Sequence, residues 1–297
     1  MGSPCEIRLD GAVARDRRRR ADCFAAVAAE VERLEARYSR YRETSLLSEI
    51  NRVAARGGAL EVDDETAGLL DYAETCHRES GGRFDVTSGI LRRAWRFDAR
   101  RLPEPEEIER LLDRVGWEKL VWQRPRLRFP MPGLELDFGG IVKEYAADRV
   151  AGLLQAAGAP HALVNLGGDV RIAGPRADGR PWRIGIRHPR DPRALLGHVA
   201  LAEGALSTSG DYERCLEIEG RRYGHVLDPK TGWPVRFMAS ASVAAALCVL
   251  AGSASTIAML RGEDGPRWLA ELGLPCLWVD VEGNVGGSLV ESGALSG

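Results

Sequence analysis

At 297 residues, 44% hydrophobic and 28% charged, the chain has the length and composition of a globular protein with a large core. A net charge of -2 excludes a global field toward nucleic acid or an anionic membrane, and no apolar stretch reaches the roughly 20 residues that span a bilayer. The six cysteines are scattered without C-x-x-C spacing, which speaks against zinc or a redox dithiol.

In chain order, Cys5–Leu9 reads as a strand and the basic run at 17–20 as the solvated start of a polar helix. Phe24, Val27, Val31, Leu34 and Tyr38 fall on one helical face, predicting a helix over 21–38. A second helix is expected at 64–79, stopped by Gly81-Gly82, and a third at 104–115, opened by Pro103 and an acidic first turn. Residues 119–137 alternate as short strands broken by Arg124-Pro125 and Pro130-Met131-Pro132. A helix then runs from Gly139 to about Ala157. Strands follow at 161–166, 169–173, 182–188, 197–202, 205–208, 214–218, 222–227 and 239–246. Helices at 250–261 and 265–272 precede closing strands at 275–280 and 284–289. Helices and strands mix without regular βαβ alternation, so the expected class is α+β, with mostly antiparallel sheets and packed helices in one domain over 1–297.

Five segments could carry chemistry. In Leu136-Asp137-Phe138-Gly139-Gly140-Ile141-Val142-Lys143 a strand ends, two glycines turn the chain and a helix begins. Glycine lets a ligand approach the backbone, and first-turn N–H groups favour an anion such as phosphate; a plain turn with a solvated lysine is the competing reading. Asn165-Leu166-Gly167-Gly168-Asp169 is a second glycine pair, which alone reads as a hairpin turn. Ser207-Thr208-Ser209-Gly210-Asp211-Tyr212 offers hydroxyls and a carboxylate, either to phosphate or ribose oxygens or to its own turn backbone. His225, with Asp228 three residues on, can serve as acid, base or phosphate donor, although a lone histidine is commonly structural. The glycine-bounded loop at 81–89 holds Asp85 and Thr87; a helix C-cap explains its glycines but not those two side chains. His77, His161, His188 and His198 have no comparable surroundings in sequence.

Together, in this order, these segments resemble the ApbE family of FAD:protein FMN transferases. The resemblance begins at Met1-Gly2-Ser3-Pro4 and passes through Tyr38-Ser39-Arg40-Tyr41, residues 45–51, Phe84-Asp85-Val86-Thr87, residues 136–149 and 164–169. It ends with residues 208–212, 225–232 and the helix containing Thr256. It implies a T-fold-related architecture and a magnesium-dependent reaction in which a threonine of an acceptor flavoprotein attacks the FMN-side phosphorus of FAD and AMP leaves. Carried over by motif, Tyr41, Asp85 and Thr87 lie in or near the flavin-dinucleotide pocket. Gly140, Lys143, Asn165 and Asp169 form its wall, while Thr208, Ser209 and Asp211 line the nucleotide side. Asp228 joins the FAD-binding set, and His225 stands by the reacting phosphate.

Two departures stand out. The family usually has glycine after the lysine of the Gly-Gly turn, where this chain has Glu144. Its late helix carries Asp four residues before the Thr, the spacing that puts both on one face to hold Mg²⁺; here that position is Gly252, while Thr256 is kept. A metal site could therefore use Thr256, Asp211 or a carbonyl near Gly140, could draw charge from Glu144, or could be absent. Two other functions remain open: an FAD pyrophosphatase releasing FMN and AMP, and an FAD-binding carrier without transferase activity. The resemblance implies a periplasmic or cell-envelope location, whereas the lack of a leader before the first strand leaves the cytoplasm open.

Overall fold

Strand Ala162–Leu166 shows how the sheet is covered on both sides: Ala162, Val164 and Leu166 face one hydrophobic core and Leu163 another. The computed structural model describes residues 4–97 and 101–289, so the first three residues of the matched N-terminal motif lie outside the described residues. In chain order the elements are β1 (Cys5–Leu9), α1 (Gly11–Arg15), α2 (Arg17–Tyr38), α3 (Leu46–Arg56), β2 (Gly58–Glu61), α4 (Asp64–Glu79), α5 (Pro105–Leu112), β3 (Val121–Gln123), β4 (Arg126–Phe129) and α6 (Val142–Ala156). There follow β5 (Ala162–Leu166), β6 (Asp169–Ile172), β7 (Trp182–Arg187), β8 (Leu195–Leu201), β9 (Gly204–Gly210), β10 (Cys215–Ile218), β11 (Arg221–Gly224), β12 (Met238–Ala245), α7 (Cys248–Arg261), α8 (Gly265–Glu271), β13 (Cys276–Asp280) and β14 (Val285–Gly287).

Seven strands form one antiparallel sheet in the order β1-β5-β6-β9-β12-β13-β14. Helices α6 and α7 pack on one face, backed by α2, α3 and α4. The β7–β8 hairpin covers the other face through Trp182, Ile184, Ile186, Leu196 and Val199. The architecture is α+β, as expected.

Several boundaries differ from the sequence reading. Helix α3 was not anticipated; Ser45 caps it by accepting from the Ser48 N–H, and Leu47, Ile50 and Ala54 bury its inner face. Helix α6 starts at Val142 rather than Gly139, because Ile141 N–H turns back to the Phe138 carbonyl. The strand expected over 205–208 runs on as β9 to Gly210, so Ser209 and Gly210, expected in a turn, pair with β12. The strand expected over 222–227 stops at Gly224, leaving His225 just beyond it. The loop at 81–89 leads into a 3₁₀ helix, Val86–Arg93, capped by Asp85.

Candidate functional site

Elements that the sequence scatters meet around one cavity of about 860 Å³, a volume in the upper range for small-molecule and cofactor sites. Its floor is the turn before α6. Asn51 of α3 grips the approach to that turn, accepting from Leu136 N–H at 2.7 Å and donating to the Leu136 carbonyl at 2.9 Å. Asp137 then accepts from Gly139 N–H at 2.9 Å and pairs with Arg40. The turn is too crowded for a larger residue opposite it: a Cβ on Gly89 would lie 2.4 Å from Asp137 Cβ. Gly139 and Gly140 therefore line the cavity just before a 15-residue helix, and Val142, Lys143 and Glu144 line it from that helix's first turn, whose positive end favours an anion.

Opposite this turn, β5 and β6 are joined at Gly167-Gly168, both at positive φ, with Asn165 accepting from Gly168 N–H at 2.9 Å. Asn165 lines the cavity. Asp169 lies behind it, buried and ion-paired with Lys143, so most of the lysine's charge is compensated within the protein.

Asp85 reaches the cavity, yet both carboxylate oxygens are occupied. One accepts from Thr87 N–H at 2.8 Å and Thr87 Oγ1–H at 2.7 Å; the other accepts from Trp117 N–H at 2.9 Å and lies 3.5 Å from His77 Nε2. Thr87 is fully buried and accepts from Gly116 N–H at 2.7 Å, so it supports the site from behind. His77, set aside on sequence, is thus part of this network, because the fold brings α4 against the loop. Glu118 completes a His77–Asp85–Glu118 cluster, but Asp85 has little acceptor capacity left for a cation.

On the far wall, Thr208 and Ser209 line the cavity from β9. Thr208 Oγ1 is 2.7 Å from Ser242 Oγ, and Ser209 Oγ is 2.9 Å from Thr256 Oγ1 on α7. Asp211 turns away: Arg190 holds it with two bonds, of 2.5 and 2.8 Å. Asp228 also faces elsewhere, accepting from Arg83 at 3.0 Å and from Lys230 N–H at 2.9 Å. Four residues expected to line the pocket, Thr87, Asp169, Asp211 and Asp228, therefore stand behind its wall. In each case a partner remote in sequence or a local turn takes the side chain.

His225 lies at the cavity edge beside Val226 and Leu227. Dehydration by the surrounding protein pulls its pKa below the ordinary 6.5, opposed by a hydrogen bond to the Arg214 backbone. Tyr41 stands at the mouth, 74% exposed, with the Arg40 guanidinium 4.9 Å from its ring centroid and bonded to its hydroxyl at 2.8 Å. That bond is the main cause of a lowered Tyr41 pKa. An exposed aromatic at the mouth of a polar cavity offers a stacking surface.

The ApbE family profile matches residues 1–278. The chain belongs to the ApbE family. It is similar to the FAD:protein FMN transferase of Haemophilus influenzae, at 30% identity over 80% of this chain and 72% of that protein. It is also similar to the Vibrio cholerae protein of the same name, at 32% identity over 81% of this chain and 74% of that one. Among solved structures, the Pseudomonas stutzeri flavinyl transferase ApbE superposes with a TM-score of 0.84 at 29% identity, covering 97% of this chain and 92% of that one. The Thermotoga maritima ApbE protein gives 0.82 at 32% identity, covering 90% and 89%.

The departures from the ApbE pattern meet at one point. Position 252 lies on α7 one turn before Thr256, and its space is filled from α6. A Cβ on Gly252 would lie 2.5 Å from Glu144 Cγ and 3.1 Å from Glu144 Oε1. One turn further along α6, Asp148 caps α7 by accepting from Cys248 N–H at 2.8 Å and Val249 N–H at 2.9 Å. Glu144 and Asp148, four residues apart, thus both address α7.

Proposed function

We propose that this chain transfers FMN from FAD to a threonine hydroxyl of an acceptor protein and releases AMP. The observation that carries this reading is the convergence on one dinucleotide-sized cavity of the Gly139-Gly140 helix start, the Thr208–Ser209 hydroxyls and His225. Likeness to proteins named FAD:protein FMN transferase gives it independent support.

In this reading the first turn of α6 and the β9 hydroxyls hold the pyrophosphate, and Tyr41 stacks on a ring of the dinucleotide at the mouth. His225, whose pKa is lowered, accepts the proton of the threonine hydroxyl as that oxygen bonds to the FMN-side phosphorus. The bridging P–O bond breaks, and its oxygen leaves on AMP. Lys143, paired with Asp169, holds the helix start against the β5–β6 turn rather than supplying a free cation.

The residues present fit a magnesium ion: Glu144, a buried carboxylate whose Oε2 lacks a hydrogen-bond partner, and Thr256, which offers a hydroxyl, both line the cavity. When bound there, the ion would neutralise the pyrophosphate charge.

The test is incubation of the protein with FAD, Mg²⁺ and an acceptor domain bearing a threonine. Flavin fluorescence that remains on the acceptor after denaturation, with AMP released in equal amount, is expected. AMP and free FMN without labelling would make the chain a pyrophosphatase, and FAD binding without AMP release would make it a carrier.

A further inference from the structure

We infer that in this chain the carboxylate for the divalent cation comes from Glu144 on α6, across the helix–helix contact from the position where the family carries it on α7. The inference rests on the transfer function proposed above. It rests physically on three features of the helix contact.

The first is reciprocity. Where the family has glycine, this chain has Glu144; where the family has aspartate, it has Gly252. These are the two positions that touch, because a Cβ on Gly252 would overlap Glu144 Cγ at 2.5 Å. An aspartate at 252 and Glu144 in its present place cannot coexist, while glycine at 252 opens the room that the glutamate occupies. The two departures are one exchange across a helix pair, and Glu144 and Thr256 line the same cavity.

The second is an unmet bonding capacity. Glu144 is 7% exposed, and its Oε2 has no hydrogen-bond partner. Burying a carboxylate oxygen with nothing to pair it is costly. A structural role as the partner of Lys143 does not remove that cost. The lysine's close contact is to Asp169, whereas its distance to Glu144 is 3.6 Å and involves the other oxygen, Oε1. A hard cation on Oε2 satisfies this orphaned atom.

The third is rigidity. Asp148 ties α6 to the start of α7, and Tyr72 on α4 bonds both Val249 carbonyl and Ser253 Oγ at 3.0 Å. The glutamate thus projects between helices held at fixed separation, and Ser209 holds the Thr256 hydroxyl from β9. A longer side chain from the opposite helix delivers the same donor type to the same face of α7.

The experiment titrates Mn²⁺ into FAD-loaded protein and reads free Mn²⁺ by electron paramagnetic resonance, with FAD affinity and melting temperature measured on every variant. The unsubstituted protein should bind one Mn²⁺, and Glu144→Gln, which keeps the packing volume, should bind it at least about tenfold more weakly. Glu144→Gly should lose binding similarly, and the double variant Glu144→Gly/Gly252→Asp, which restores the family arrangement, should recover it. Mn²⁺ affinity unchanged in Glu144→Gln would overturn the inference, as would a folded double variant binding no better than Glu144→Gly. If the double variant does not fold, the glutamine variant decides. Failure of the unsubstituted protein to bind FAD would instead sink the transfer function itself, so the two failures are separable.

Discussion

Asp85 separates a residue that touches a ligand from one that builds the wall the ligand meets. Its side chain borders the cavity but is only 2% exposed, and it accepts from Thr87 N–H, Thr87 Oγ1–H and Trp117 N–H at 2.7 to 2.9 Å. Asp85→Asn keeps one oxygen for Thr87 but turns an amide donor toward the Trp117 N–H. Losing a hydrogen bond to a charged group costs about 1.5–3 kcal/mol, and leaving the buried Trp117 donor unpaired costs about 1–3 kcal/mol. Because these overlap, a combined loss of about 3 kcal/mol is expected. At about 2–4 °C per kcal/mol for a chain of this class, the melting temperature should fall by roughly 6–12 °C. Differential scanning calorimetry without ligand measures that fall, and FAD titration well below the transition measures affinity, which should weaken less than about tenfold. An unchanged melting temperature together with a larger loss of FAD affinity would refute the reasoning, since Asp85 would then be spending its hydrogen bonds on the ligand.

The other predictions sort the same wall. Thr87→Val keeps the volume but leaves Gly116 N–H unpaired, so it should lose about 1–3 kcal/mol in denaturant unfolding with little change in FAD affinity. Tyr41→Ala removes an exposed ring, so unfolding should shift by less than about 0.5 kcal/mol. FAD binding by that variant should weaken by roughly 2- to 10-fold through lost stacking, and unchanged binding would remove Tyr41 from the site. The His225 imidazole should titrate below 6.5 by NMR, and the acid limb of turnover should follow it. Because its folded pKa is lowered, the unfolded chain protonates first; the stability tied to this group is present above pH 6.5 and declines as pH falls below that value. A midpoint above 6.5 would overturn that assignment.

How far the site could be read from sequence depended on whether each residue's partner was local. The Gly167-Gly168 turn and the 64–79 helix were legible because hairpin chemistry and a 3.6-residue period are written into neighbouring positions. Helix α3 carried its own signals, a Ser45 cap and the spacing of Leu47, Ile50 and Ala54, but only 11 residues of them. In sequence Thr208 reads as the end of a strand and Ser209 as part of a turn, because hydroxyls beside a glycine are typical of turns. They sit in a strand because Ser242, Ser255 and Thr256 wait opposite to bond them, and those residues arrive from β12 and α7. The same applies to charge. Asp169 was expected in the pocket wall and Asp211 on its nucleotide side, but Lys143 and Arg190 claim them. At the two deviations from a family pattern, Glu144 and Gly252, the sequence left a weaker site, charge from Glu144 or no metal equally open, because it does not say which positions touch. Packed together, they become a carboxylate moved from one helix to the next. A missing ligand in one element is therefore evidence of lost chemistry only after the elements packed against it have been checked for a replacement.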